Sequence, residues 1–328
     1  MRESGILMPV SSLPGPYGIG CFGKEAFEFV DFLAQAGQKI WQILPLSPTG
    51  YGDSPYQSCS AFAGNPYFID LDALKEEGLL TAAQLKAEKW GTDPKEVDYG
   101  TLYVSRFKVL RTAYAAWRKQ CAGLHGCAYY FPDDYYAFTL ANEEWLDDYA
   151  LYMALKAANG MKNWVEWDKP YRLRDRKALA AFAAENEEEI GFWKFVQYKF
   201  AAQWQAVKAY ANKKDVQILG DIPIYVSADS VDAWVGGALF ELDADGGFAR
   251  RITSLPTVSC GATRCTTGNT TKRPATRGGC AGCATHWAST TCCASTTSAA
   301  SIPTGPSRRT APPPAPASGR TAPAWSCS

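Results

Sequence analysis

Polar and aromatic side chains follow each of three apolar segments in this 328-residue chain. The segments run from Gly5 to Val10, from Ile40 to Pro45 and from Val216 to Gly220. Sugars present flat apolar faces, on which aromatic rings stack, and edge hydroxyl groups, which carboxylates, amides and hydroxyls bind. The side chains after the segments therefore predict a carbohydrate site; they are Ser11, Tyr17, Tyr51, Asp53, Ser54, Tyr56, Gln57, Asp221 and Tyr225.

A glycine motif near the first segment suggests a different chemistry. Gly18, Gly20 and Gly23 fit the pattern G-x-G-x-x-G, which holds the pyrophosphate of a dinucleotide when it directly follows a strand and opens a helix. Here Gly18 lies eight residues after Val10, with two prolines between them, and no acidic residue ends the second segment. A nicotinamide-dependent oxidoreductase is therefore a distant third among the functions considered.

Cysteine and histidine residues near the C-terminus have a spacing that resembles a zinc site. Cys280, Cys283 and His286 are followed by the pair Cys292 and Cys293. No apolar pattern flanks them that could pack around an ion, so we expect no metal and no other cofactor. A disulfide framework is also disfavoured, because the apolar stretch at the N-terminus is too short for an export signal.

The apolar patterns predict the elements that must position the sugar-binding side chains. Lys24 to Ala36 has the period of an amphipathic helix, and it lies between the first two predicted strands. Residues 72–215 are typical of helices, for example Trp145 to Lys156 and Ile190 to Ala211, and a third strand follows at 216–220. Strand, helix and strand in this order predict a parallel α/β sheet or barrel, in which the carboxyl ends of the strands share one face.

The composition changes near residue 251. All 33 acidic residues and 26 of the 33 basic residues lie in 1–251, whereas 48 of the 77 residues in 252–328 are Thr, Ala, Ser or Pro. The first part lacks a basic stripe and any run of 18 apolar residues, so we expect neither a nucleic-acid partner nor a membrane partner, and a cytoplasmic location. The second part has too few large apolar residues to form a core, and we expect it to be disordered.

Six motifs in residues 2 to about 250 closely resemble the 4-α-glucanotransferases, also called amylomaltases or disproportionating enzymes. They are Ser12-Leu-Pro-Gly-Pro-Tyr-Gly-Ile-Gly20, Trp41-Gln-Ile-Leu-Pro-Leu46, Ser54-Pro-Tyr-Gln-Ser58, Ser60-Ala-Phe-Ala-Gly-Asn-Pro66, Trp145-Leu-Asp-Asp-Tyr-Ala150 and Gly220-Asp-Ile-Pro-Ile-Tyr-Val226. The resemblance implies the N-terminal part of a (β/α)8 TIM barrel of the α-amylase type with an inserted, mainly helical subdomain. The expected parts are the first barrel strands in 1–71, the inserted subdomain in 72–215, the third-strand region in 216–250 and a low-complexity tail in 251–328.

The resemblance also implies an activity and a set of substrate contacts. Members of this family transfer α-1,4-glucan segments between maltooligosaccharides with retention, which requires a carboxylate nucleophile and a second carboxyl group as acid/base. The expected substrate-binding residues are Ser54, Tyr56, Gln57, Asp221 and Tyr225. The family's catalytic carboxylates lie beyond the matching region, and no acidic residue follows 251, so we expect no catalytic residue and no turnover in this chain. The alternative is a non-catalytic remnant that only binds glucan.

The unusual tail suggests a shifted reading frame. The first two bases of Ala, Thr, Pro and Gly codons are fixed. In a frame whose codons combine the third base of one codon with the first two bases of the next, the possible amino acids are therefore strongly limited. In that frame Cys260 to Gly268 can read Trp-Gly-Asn-Pro-Leu-Tyr-Asp-Trp, and Cys293 to Ser301 can read Arg-Ile-Asp-His-Phe-Arg-Gly-Phe. Both strings resemble family segments, and the second contains the nucleophilic aspartate. We hypothesise a frameshift at about residues 250–251, of which the cysteines and the zinc-like spacing are by-products.

Resequencing the coding DNA across residues 240–328 tests this hypothesis. We expect the corrected base count to restore the frame that encodes Arg-Ile-Asp-His-Phe-Arg-Gly-Phe, because the segment Trp-Gly-Asn-Pro-Leu-Tyr-Asp-Trp is recovered at the same offset. A coding sequence whose shifted frame does not contain these strings would contradict it. If the strings are present but the base count is unchanged, the shift belongs to the gene and the chain is a truncated product.

Overall fold

Three parallel strands form one sheet in the computed structural model, which describes residues 3–50, 52–93, 95–125, 131–223 and 225–240. In their order across the sheet, the strands are β1 (Gly5–Leu7), β2 (Ile40–Gln42) and β3 (Gln217–Leu219). Trp41 in the central strand is in register with Ile6 on one side and with Ile218 on the other. The α/β class and the parallel sheet expected from the sequence are confirmed.

Proline shortens the first two strands relative to the apolar segments. Pro9 and Pro45 have no N–H group to donate to a neighbouring strand, so neither can continue the ladder. After Pro9 the chain enters a short 3-10 helix at Val10–Ser12, and the expectation that Val10 belongs to the first strand is wrong. The strands therefore lead almost at once into the loops that carry the polar side chains.

Most of the described helices lie between β2 and β3 in the sequence. Helix α1 (Lys24–Gln35) connects β1 to β2 and buries Ala26, Val30 and Leu33. The helices between β2 and β3 are α2 (Leu71–Glu76), α3 (Ala82–Lys86), α4 (Tyr99–His125), α5 (Asp133–Ala141), α6 (Glu143–Ala158), α7 (Lys169–Arg172), α8 (Arg176–Glu185) and α9 (Glu187–Lys213). Helix α10 (Val231–Val235) follows β3. The inserted helical region is confirmed, and its limits at 72 and 215 stay a prediction.

Helix α9 joins the helical region to the loop after β2. The side-chain amide of Gln197 accepts from the Gly64 N–H at 2.7 Å and donates to the Gly64 carbonyl at 2.9 Å. Gln203 binds the backbone N–H and carbonyl of Asp70 in the same way, at 2.6 and 3.1 Å. Two amide side chains on one helix therefore pair with the backbone groups of buried Gly64 and of partly buried Asp70.

Part of the sequence lies outside these described residues, and so do the predictions made for it. The low-complexity tail at 251–328 and the zinc-like residues from Cys280 to Cys293 are among them. Within the described helices, none is both long enough and apolar enough to cross a membrane.

Close backbone packing accounts for the glycine motif near β1. A Cβ atom on Gly20 would overlap the carbonyl oxygens of Val10 and Leu13, and one on Gly18 would overlap the carbonyl of Trp90. Gly18 also has a φ of +73°, which side chains other than glycine rarely tolerate. The glycines here allow three stretches of backbone to touch, which is a packing role and requires no dinucleotide.

Replacing Gly20 with alanine tests this packing role. We expect Gly20→Ala to lower the free energy of unfolding by about 2–3 kcal/mol, because the added methyl group must displace backbone. The matched control is Gly123→Ala on α4, where a Cβ would meet nothing within 4 Å; it should raise stability by about 0.5–1 kcal/mol. Urea unfolding of both variants measures the difference, and equal effects would contradict the packing role.

Candidate functional site

The loop after β2 is folded back on itself and presents three of the expected substrate-binding residues. An antiparallel bridge between Thr49 and Ser58 closes the loop. Within it, the Ser54 hydroxyl accepts from the Tyr56 N–H at 3.3 Å, and the Ser54 carbonyl accepts from the Gln57 N–H at 3.1 Å. These contacts form a tight turn that leaves the side chains of Tyr56 and Gln57 exposed.

A hydrogen bond joins this loop to the one that follows β3. The Tyr56 hydroxyl donates to Oδ2 of Asp221 at 2.7 Å, although the two residues are 165 positions apart in the sequence. The other carboxylate oxygen of Asp221 accepts from the Ile222 N–H at 2.8 Å. The hydrogen bond to Asp221 is the main cause that raises the pKa of Tyr56 to about 12. The structure therefore brings together two residues that the sequence placed after different strands.

The remaining expected residues lie in different surroundings. Tyr225 follows Asp221 in the same loop and its side chain is 58% exposed, which leaves its ring open to solvent. Ser11 and Asp53 line a pocket of about 80 Å³ between the ends of β1 and β2. That volume is small beside the roughly 300–1,000 Å³ of pockets that enclose a drug-sized ligand. The pocket between these strand ends is therefore too small to enclose a sugar ring.

Tyr17 makes contacts within the protein that account for its position without a sugar. Its hydroxyl donates to Oδ1 of Asp72 at 2.9 Å, and its ring packs edge-on against Trp90 with the centroids 5.2 Å apart. This aromatic residue therefore packs the loop after β1 against the helical region. Tyr51 lies outside the described residues.

A second set of contacts joins residues 59–61 to the start of α10, and no sequence motif indicates it. Oδ2 of Asp232 on α10 accepts from the Ala61 N–H at 2.8 Å, and the Cys59 carbonyl accepts from the Val231 N–H at 2.9 Å. Burial raises the pKa of the Asp232 carboxyl to about 6. These contacts join the loop after β2 to the start of α10, and their acceptors and donors include backbone groups, which no side-chain motif reveals.

A third set of contacts anchors the loop after β3 to the helical region. Asp229 accepts from the ammonium group of Lys156 at 2.6 Å and from the Tyr152 hydroxyl at 2.8 Å, both on α6. The indole N–H of Trp164 donates to the Ala228 carbonyl at 2.8 Å.

The described residues contain no group of three or more His, Cys, Asp or Glu side chains arranged to hold a metal ion.

The family model and the relatives that match this chain carry the same description. A family model described as 4-α-glucanotransferase matches residues 8–250. The 4-α-glucanotransferase of Clostridium butyricum is 46% identical over 239 residues, which is 73% of this chain and 47% of the relative. The enzyme of the same name from Thermus thermophilus is 44% identical over 248 residues, which is 75% of this chain and 47% of the relative.

A solved structure agrees with these sequence matches. The amylomaltase from Streptococcus agalactiae in complex with acarbose has a TM-score of 0.69 and 44% identity, covering 75% of this chain and 48% of that chain. The chain therefore spans about half the length of the relatives it matches.

The hydrogen bond between Tyr56 and Asp221 predicts a pH dependence of stability. The neutral phenol donates to the carboxylate, whereas the phenolate has no proton to donate and would repel it. Because the pKa of Tyr56 is raised to about 12, the stabilisation by this hydrogen bond is complete below pH 10 and is lost as the pH rises towards 12.

We expect Tyr56→Phe to lower the Tm by about 1–2 °C at pH 8, and the difference from the parent chain to shrink above pH 10. Thermal unfolding at pH 8, 10 and 11 measures it, and a constant difference would contradict the assignment.

Proposed function

The chain belongs to the 4-α-glucanotransferase family, and from this premise we propose that residues 3–240 form the substrate-binding N-terminal part of such an enzyme. The supporting observation is the hydrogen bond from Tyr56 to Asp221, which joins the ends of β2 and β3 on one open surface. The class of substrate we propose is an α-1,4-glucan or maltooligosaccharide. The related amylomaltase supports this class, since its structure was solved in complex with acarbose.

The chemistry of the exposed groups suits the recognition of a glucose unit. The carboxylate of Asp221 accepts hydrogen bonds from hydroxyl groups, and it accepts one from Tyr56 in the free protein. An ionised carboxylate has about four lone-pair sites, so Asp221 can accept from a sugar hydroxyl while it keeps the hydrogen bond from Tyr56 that orients it. The exposed ring of Tyr225, in the same loop as Asp221, offers a flat apolar surface, and Ser54 and Gln57 have a hydroxyl and an amide.

We further propose that this chain binds glucan without transferring it. Retaining transfer requires one carboxyl group as nucleophile and another as acid/base, about 5–5.5 Å apart. Residues 252–328 contain no Asp or Glu that could supply either. The relatives are transferases, and this favours a transferase that has lost its catalytic part over a protein built only for binding. A cytoplasmic location is part of the same proposal.

Calorimetric titration of the 328-residue chain with acarbose tests the binding proposal. We expect saturable binding, and about tenfold weaker binding for Asp221→Asn, because a charge-assisted hydrogen bond is worth about 1.5–3 kcal/mol and 1.4 kcal/mol is tenfold. The matched control is Asp215→Asn, since Asp215 is exposed and contacts Lys39 away from the loops. Absence of binding by the parent chain, or equal losses in both variants, would contradict the proposal.

The transfer reaction gives a second readout. The chain should release no glucose from maltoheptaose, whereas a gene with the restored reading frame should encode an active transferase. Transfer by the 328-residue chain itself would show that the proposed loss of catalysis is wrong.

A further inference from the structure

The site depends on the distance between two loops that belong to different strands. Among the described residues, two side-chain hydrogen bonds join the loop after β2 to the segment after β3. One is the exposed bond between Tyr56 and Asp221, and the other is the bond from the Ala61 N–H to Asp232. The first belongs to the surface that we propose binds sugar, where Tyr56 orients the carboxylate that accepts from a sugar hydroxyl. The second lies at the start of α10.

Asp232 is held firmly on its own side of this junction. It lies in the first turn of α10, which Ser230 caps by accepting from the Ala233 N–H at 3.1 Å. The Ser230 hydroxyl also donates to the Ser227 carbonyl at 2.7 Å, so the turn before the helix is fixed as well. Helix α10 buries Val231, Ala233 and Trp234, which leaves little freedom for the Asp232 backbone.

The partner of Asp232 lies close to Tyr56 along the chain. Ala61 is five positions after Tyr56, and the bridge between Thr49 and Ser58 fixes the intervening turn. The backbone bond from Val231 to Cys59 lies beside the Asp232 contact and runs between the same two segments. The two contacts together fasten residues 59–61, which directly follow the Tyr56 turn, to the start of α10. The Asp229 carboxylate has a different role, because its partners Lys156 and Tyr152 lie on α6.

We propose that Asp232 is a positioning residue of the glucan site: by accepting from the Ala61 N–H, it keeps Tyr56 within hydrogen-bonding distance of Asp221. This inference rests on the proposed function, because it assigns Asp232 to the same surface. Asp232 touches no sugar in this scheme and acts through the loop. Its pKa of about 6 leaves it ionised at pH 7, so the Ala61 N–H donates to a charged acceptor, which is the stronger form of such a bond.

A double-mutant cycle distinguishes positioning from a general loss of stability. Acarbose affinity is measured for the parent chain, Asp232→Ala, Tyr56→Phe and the double variant at pH 7.5. We expect Asp232→Ala to weaken binding about fivefold to tenfold, and to weaken it less than twofold when Tyr56 is already phenylalanine. Asp232→Asn retains a side-chain oxygen that can accept from Ala61, so it should bind within about threefold of the parent chain.

A control and a second measurement complete the test. Asp31→Ala removes a half-buried carboxylate that binds Tyr210 and Lys214 at the C-terminal end of α9, and it should leave affinity unchanged. Hydrogen exchange of the unliganded chain should be faster in 54–61 for Asp232→Ala and unchanged in α1. Equal losses of affinity with and without the Tyr56 hydroxyl, or unchanged exchange in 54–61, would overturn the positioning role. If the parent chain binds no acarbose, the proposed function fails, and the exchange result still decides whether Asp232 holds the loop.

Discussion

The central position of β2 is the constraint on which the rest of the structure depends. Because β2 pairs in parallel with β1 and with β3, all three carboxyl ends point in the same direction and their loops meet at one edge. Trp41 fixes this arrangement, since it is fully buried and its indole N–H donates to the Met8 carbonyl at 2.8 Å. A shift of one residue in register would turn Trp41 to the opposite face of the sheet and would separate Tyr56 from Asp221.

The long helical region satisfies the requirement that parallel neighbours be joined by a crossover. Its last helix, α9, both delivers the chain to β3 and holds the loop after β2 through Gln197. The Val216 N–H donates to the Ala211 carbonyl at 2.9 Å, so the turn from α9 into the strand is short. One helix therefore positions both the loop after β2 and the start of β3. This explains how an insertion of such length leaves the edge of the sheet intact.

Much of this arrangement could be predicted from the sequence, because it follows from periodicity and topology. The apolar segments located the strands, and the rule that parallel carboxyl ends share a face placed Tyr56 and Asp221 at the same edge. The contacts of Tyr17 with Asp72 and of Asp232 with Ala61 could not be predicted. Each joins segments that are distant in the sequence, and a backbone N–H such as that of Ala61 is the same for every residue type except proline. Strand length was also overestimated where proline interrupts the ladder.

The orientation of a bound sugar and the strength of its binding depend on different features of the site. Tyr56 and Ile222 each donate to one oxygen of Asp221 and so orient the carboxylate, which limits the directions from which a sugar hydroxyl can donate to it. Affinity for a sugar comes largely from burial of its apolar faces, and the loops after the three strands offer the exposed ring of Tyr225 and a pocket of about 80 Å³. On the proposed function, residues 3–240 therefore determine which hydroxyl groups are accepted. On the same proposal, the carboxylates that break the glycosidic bond belong to the part of the family's sequence that this chain does not match, since the chain spans about half the length of its relatives.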